Sequence, residues 1–111
     1  VLTEREYLLI SVMEECDEVS HRISKALRFG LDEIQEGQEL TNFERIQGEV
    51  ADLLAVLGMA GIKADVGKAL ANIEAKQKKI CKYMGYARLR GTLEPFQTKD
   101  GAPLAGGVFD V

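Results

Sequence analysis

The sequence predicts an all-α fold: an antiparallel helical bundle of three main helices, completed by oligomerisation and followed by an extended C-terminal tail. Two observations carry this. Apolar residues recur at spacings of three and four along three long stretches, and each stretch opens on a residue that can cap a helix N-terminus, Thr3, Thr41 or Asp65. Both prolines and a cluster of glycines fall after Gly91, so helical signal ends there. The reading is a helical domain over 1–90 and a tail over 91–111, in which Phe96, Leu104, Val108 and Phe109 need a surface to cover.

Thr3 followed by Glu6 forms a capping box, and Leu8, Leu9, Val12, Cys16, Val19, Ile23 and Leu27 continue with helical period until Gly30. A first helix over about 4–28 follows. Residues 31–40, LDEIQEGQEL, are acidic, carry Gly37 and have weak periodicity, which predicts a loop with room for one short extra helical turn. Thr41 with Glu44 is a second capping box, opening a helix that carries Phe43, Ile46, Val50, Leu53, Leu54, Leu57 and Met59 and ends near Gly61. Asp65 caps a third helix over about 66–86, with Val66, Leu70, Ile73, Ile80 and Met84 on one stripe beside a basic face.

The second helix is apolar on more than one side, since Ala51, Ala55, Val56 and Met59 widen its stripe. A helix of that kind requires neighbours all round, and three helices alone make a thin monomer. A homodimer or homotetramer is therefore expected.

The chain of 111 residues is 46% hydrophobic and 29% charged, the balance of one globular domain. No apolar stretch approaches the roughly 20 residues that cross a bilayer, and the N-terminus lacks the layout of a signal peptide. No membrane association and a cytoplasmic location are the expectations, with a residue or short segment missing before Val1. A net charge of −4 argues against a general nucleic-acid binder, which needs surplus Lys and Arg on one face. Cys16 and Cys81 stand alone in helical patterns with a single His in the chain, so they read as reduced, partly buried thiols rather than zinc ligands or a disulfide.

Two acidic clusters stand out, Glu14-Glu15-Cys16-Asp17-Glu18 and Glu49-Val50-Ala51-Asp52. In both, carboxylates recur at i and i+3, on one helix face about a turn apart. A solvated face would account for Glu14, Asp17 and Glu18 by themselves. Glu49 and Asp52 lie in the most apolar segment of the chain, where an acid without a partner is unfavourable by several kcal/mol or gives up its charge. Facing helices that present such groups inward make the oxygen-rich site a hard divalent cation needs.

The order of parts, EExxE (Glu14, Glu15, Glu18), a connection, ExxD (Glu49, Asp52) leading into Leu53-Leu54, then ALANIEAKQKK, resembles the MazG-like family of all-α nucleoside triphosphate pyrophosphohydrolases over about residues 5–86. The resemblance implies Mg2+ (with Mn2+ as a substitute) held by Glu15, Glu18, Glu49 and Asp52. It implies Glu14 as an outer-shell or water-orienting partner, and Lys76 and Lys79 at positions that meet substrate phosphates. Asn72 and Tyr83 are candidates for the nucleotide pocket and equally for structural roles. The implied reaction cleaves a nucleoside or deoxynucleoside triphosphate between the α and β phosphates, giving a monophosphate and pyrophosphate. The connection from Glu18 to Glu49 is rather long for the family, which bears on the base pocket more than on the metal site.

Two-ion or one-ion magnesium chemistry needs positioning, charge neutralisation and one activated water, so a chain with a single His can still be a hydrolase. Lys78 reads as the wet side of an amphipathic helix. His21 reads as a partly exposed helix residue. Two alternatives stand beside the hydrolase: an enzyme resembling phosphoribosyl-ATP pyrophosphatase, and a non-enzymatic helical oligomerisation module. A di-iron carboxylate bundle is disfavoured because its Glu-x-x-His pairs are absent.

Overall fold

A computed structural model describes residues 1–96. Among them are three helices and no strand: α1 (Glu4–Phe29), α2 (Asn42–Met59) and α3 (Val66–Arg90). Residues 1–63 form one compact unit and α3 belongs to a second.

Each helix begins where its cap dictates. Thr3 and Thr41 both accept from the backbone N–H three residues on, and Glu6 and Glu44 reach back to the cap backbone, completing two capping boxes. Asp65 accepts from Lys68 N–H at 3.0 Å and caps α3.

The ends are as specific. After α2, Ile62 N–H donates to Leu57 O and Gly61 N–H to Gly58 O, a Schellman closure that needs the left-handed φ of 73° at Gly61. Gly91, with φ of 78°, repeats the motif after α3 through Thr92 N–H to Ala87 O and Gly91 N–H to Arg88 O. That places the end of α3 at Arg90, a turn beyond the expected 86. Arg88 and Arg90 in the last turn complement the helix dipole, and no breaker intervenes before Gly91.

The short extra helix allowed in the connection does not form: residues 31–41 hold turns, with Gly37 at φ of 84°. Instead the connection is pinned across the start of α2. Asn42 N–H donates to Glu33 O (2.9 Å), Phe43 N–H to Leu31 O (3.1 Å), and Arg45 Nη1 to Gln35 Oε1 (2.8 Å). Asn42 is 2% exposed, and its Nδ2 donates to Gly30 O at 2.8 Å and Glu33 Oε1 at 3.1 Å. One amide thereby ties the end of α1, the connection and the first turn of α2.

α1 and α2 pack against each other in antiparallel order. Asn42 at the start of α2 bonds Gly30 just past the end of α1, Glu15 meets Glu49 and Asp52 midway, and Leu8 near the start of α1 shares a recess with Met59 and Ala60. The residues shielded in α1 include Leu8, Val12, Glu15, Val19, Arg22 and Ala26; in α2 they include Asn42, Ile46, Glu49, Leu53, Val56, with Ala60 just beyond. Both sets step 4-3-4-3-4, the spacing of a coiled-coil seam. Leu9, Met13, Ile23 and Leu27 of α1, and Phe43, Val50 and Leu54 of α2, lie off that seam and are exposed. Cys16 also lies off it and is exposed rather than partly buried, while Cys81 is half-buried; both are free thiols.

The tail is described only to Phe96, which is half-buried under the Arg88 guanidinium, 3.7 Å from its ring centre. Arg88 Nε donates to Glu94 O, folding residues 92–96 back onto the end of α3. Leu104, Val108 and Phe109 lie outside the described residues.

Asn42→Ala should destabilise the protein by about 1–3 kcal/mol, because the Gly30 carbonyl at the hairpin loses its buried donor. Chemical denaturation followed by circular dichroism measures this; an unchanged midpoint and slope would show that the amide does not hold the hairpin.

Candidate functional site

The seam between α1 and α2 is apolar except at Asn42, Arg22 and two acids. Glu15 takes the third seam position of α1, between Val12 and Val19, and Glu49 takes the third of α2, between Ile46 and Leu53. Both side chains are half-buried; Asp52, one residue before Leu53, is exposed at the seam's edge. The antiparallel register brings one carboxylate oxygen of each of Glu15, Glu49 and Asp52 within 4.8 Å of the others.

Such convergence is unfavourable for free carboxylates. Glu15 is held above the ordinary value of 4.5, first by loss of water around the charged form and then by the negative charges of Asp52, Glu49, Glu18 and Glu14, in that order. The charges that raise it are those of neighbouring acids.

The triad fits a divalent cation by the chemistry of its donors. Carboxylate oxygens are the ligands magnesium and manganese take, and opposite oxygens around an octahedral magnesium are roughly 4 Å apart. The spread of 4.8 Å is close to that separation. Magnesium uses few protein ligands and keeps water and phosphate oxygens for the rest, so three carboxylates on an open seam suit it.

Of the expected ligand set, Glu15, Glu49 and Asp52 are brought together. Glu18 is exposed one turn further along α1 and lies outside the tight triad, although its charge reaches Glu15. Glu14 is exposed beside Glu15 and acts on it in the same way.

Asn72, Lys76, Lys79 and Tyr83 lie on α3 at 4-3-4 spacing, which puts them on one helix face, and all four are exposed. Lys79 Nζ sits 6.0 Å from the Tyr83 ring centre, a cation-π pair one turn apart. Lys78 falls on another side of α3. Val66, Leu70, Ile73, Ile80 and Met84 form an exposed apolar stripe on the same helix.

The sequence reading does not single out Arg22. It occupies a seam position one turn after Glu18, half-buried, with its Nε closed off from solvent and without a hydrogen-bond partner. Its signal in the sequence is the 4-3 step from Glu15 through Val19.

Among the described residues no helix is long and apolar enough to cross a membrane. No protein-family model, curated protein or solved structure matches the chain.

The raised Glu15 pKa sets a pH dependence. The folded state holds the Glu15 proton more tightly than the unfolded chain, so this stabilisation is full below about pH 4.5 and is lost as pH rises through the folded value. In metal-free buffer Glu15→Gln should therefore gain melting temperature relative to wild type as pH rises from that point. An identical profile for wild type and Glu15→Gln in EDTA would show that Glu15 is not under this repulsion.

Proposed function

We propose that the chain is a magnesium-dependent nucleoside triphosphate pyrophosphohydrolase that cleaves NTPs or dNTPs between the α and β phosphates, in the service of nucleotide-pool housecleaning. The observation that carries the reading is the convergence of Glu15, Glu49 and Asp52 from two facing helices. The order of EExxE and ExxD motifs and their resemblance to the MazG-like family supply the reaction class.

In this reading Glu15, Glu49 and Asp52 hold the ion, with Glu18 one turn away. When bound, magnesium neutralises phosphate charge and lowers the proton affinity of a coordinated water. Water adds to the α-phosphorus, the bond to the bridging oxygen breaks with pyrophosphate leaving, and the water's proton passes to a carboxylate, for which Glu14 is adjacent. Half-burial of Glu15 and Glu49 limits competing water and strengthens each charge interaction in the seam. The resemblance implies that Lys76 and Lys79 meet substrate phosphates, and Asn72 and Tyr83, candidates for the nucleotide pocket, share their exposed face of α3.

Purified protein with magnesium should release pyrophosphate, not orthophosphate, from a panel of canonical and modified NTPs and dNTPs. Glu49→Gln should lower turnover by roughly 100-fold or more with helical content intact. Lys76→Ala or Lys79→Ala should raise KM or lower kcat, whereas Lys78→Ala should be nearly silent. No pyrophosphate from any nucleotide offered would replace the hydrolase with the oligomerisation module.

The exposed apolar residues off the seam support assembly into a homodimer or homotetramer, since Leu27 of α1 (73% exposed) and Leu54 of α2 (64%) are large apolar groups in water. Sedimentation should show a dimer or larger at micromolar concentration, with a melting temperature that rises with protein concentration. A compact monomer would refute this.

A further inference from the structure

We propose that the side of the α1–α2 hairpin turned away from its acids is a docking face for the same face of a second copy of this chain, so that two hairpins close as a two-fold layer of four helices and each keeps its own acidic triad uncovered. The proposal rests on the assembly reading above, names the face that carries it, and is independent of the hydrolase.

One residue on from each seam position lies a second stripe with the same alternation of four and three. On α1 it is Leu9, Met13, Cys16, Ser20, Ile23 and Leu27. On α2 it is Phe43, Gln47, Val50, Leu54 and Leu57. A step of one residue turns about 100° in the same sense around each helix's own direction. Because α1 and α2 face one another and run antiparallel, that turn brings both stripes to the same side of the pair, whereas in a parallel pair they would fall on opposite sides. One residue before seam positions stand Glu14, Glu18 and Asp52, which the same turn taken backwards puts on the other side. The hairpin therefore has an apolar side and an acidic side.

The apolar side lies in water. Seven of its large side chains are between 39% and 73% exposed. Together they leave on the order of 700 Å² of apolar surface, above the ~300–600 Å² of the largest patch on a typical monomer and close to the ~800 Å² per partner of a standard interface. None of the eleven stripe positions carries a charge, although residues 1–63 hold thirteen acids against six Lys and Arg. A basic partner would lose water against this face without an acid to receive its charge, and an anionic bilayer surface would be repelled by the acids around it. Two copies of so acidic a hairpin repel wherever their charged sides meet, and this is the side on which they approach without that repulsion. An uncharged apolar face of this width is its own complement, and a contact of one face with itself closes at two copies.

Sedimentation equilibrium of the full chain at micromolar concentration tests the face, with circular dichroism on each variant. Wild type should be a dimer or an even multiple of one. Leu54→Glu and, on the neighbouring helix, Leu27→Glu should each raise the dimer dissociation constant by about tenfold or more, because a carboxylate would lose its water in an apolar joint. Ala55→Glu adds the same charge one residue further along α2, at an exposed position on the acidic side, and should stay within about twofold of wild type. A monomeric wild type would sink both the assembly reading and this face. A dimer that Leu54→Glu and Leu27→Glu leave intact, or that Ala55→Glu weakens equally, overturns this face alone. If either Glu variant fails to fold, Leu54→Ser and Leu27→Ser remove the apolar groups without adding charge, and unchanged association in both overturns the proposal.

Discussion

The antiparallel seam of α1 and α2 is the contact on which the described hairpin depends. Two helices joined at one end bury little, and among the described residues only Ala26, Ala60 and Asn42 are buried. A seam this narrow tolerates few polar positions, because each acid placed in it removes apolar burial and adds desolvation. Glu15 and Glu49 nonetheless occupy its centre on both helices. Their backbone is held by flanking apolar layers, Val12 and Val19 on one side and Ile46 and Leu53 on the other. Fixed helices make the carboxylates of Glu15, Glu49 and Asp52 converge.

Register is what turns two acidic helices into one site. A slip of a single helical turn along the pair would carry Glu15 away from Glu49 and Asp52. The polar tie at the closed end prevents this. Asn42 is bonded at once to Gly30, which terminates α1, and to Glu33 in the connection. Backbone bonds from Asn42 and Phe43 lock the same corner. The connection is long, but its reach is not left to chain entropy, because its far end is fastened to α2 before the seam begins.

Charge placement along the seam is uneven in a way that apolar packing alone does not explain. The acids gather on one stretch, repel one another and hold the Glu15 proton above its ordinary value. Arg22, the guanidinium on the same stripe, keeps its Nε unbonded. A fold selected for stability alone would pair these charges or replace them with Leu and Val, which bury without desolvation.

Much of the fold was legible in the sequence because it is encoded by local chemistry. Thr3 with Glu6, Thr41 with Glu44 and Asp65 start three helices, and the glycines at 30, 61 and 91 stop them, through bonds that span six residues or fewer. The all-α class and the carboxylate spacing within each cluster follow from the same local rules. Which acids meet did not follow. The i, i+3 pattern selects Glu15 and Glu18 equally, while the seam admits Glu15 and leaves Glu18 exposed, since a two-helix contact covers a stripe narrower than the acidic face. Likewise the recurrence Leu8, Leu9, Val12, Cys16, Ile23 and Leu27 merges two faces of α1, and only packing separated the shielded Leu8 and Val12 from the exposed Leu9 and Leu27. The sequence by itself determined the helices, their ends and their supply of carboxylates. Tertiary structure decided which carboxylates converge and that Arg22 shares their seam, because register between helices is set by long-range packing and one buried amide that no local pattern reveals.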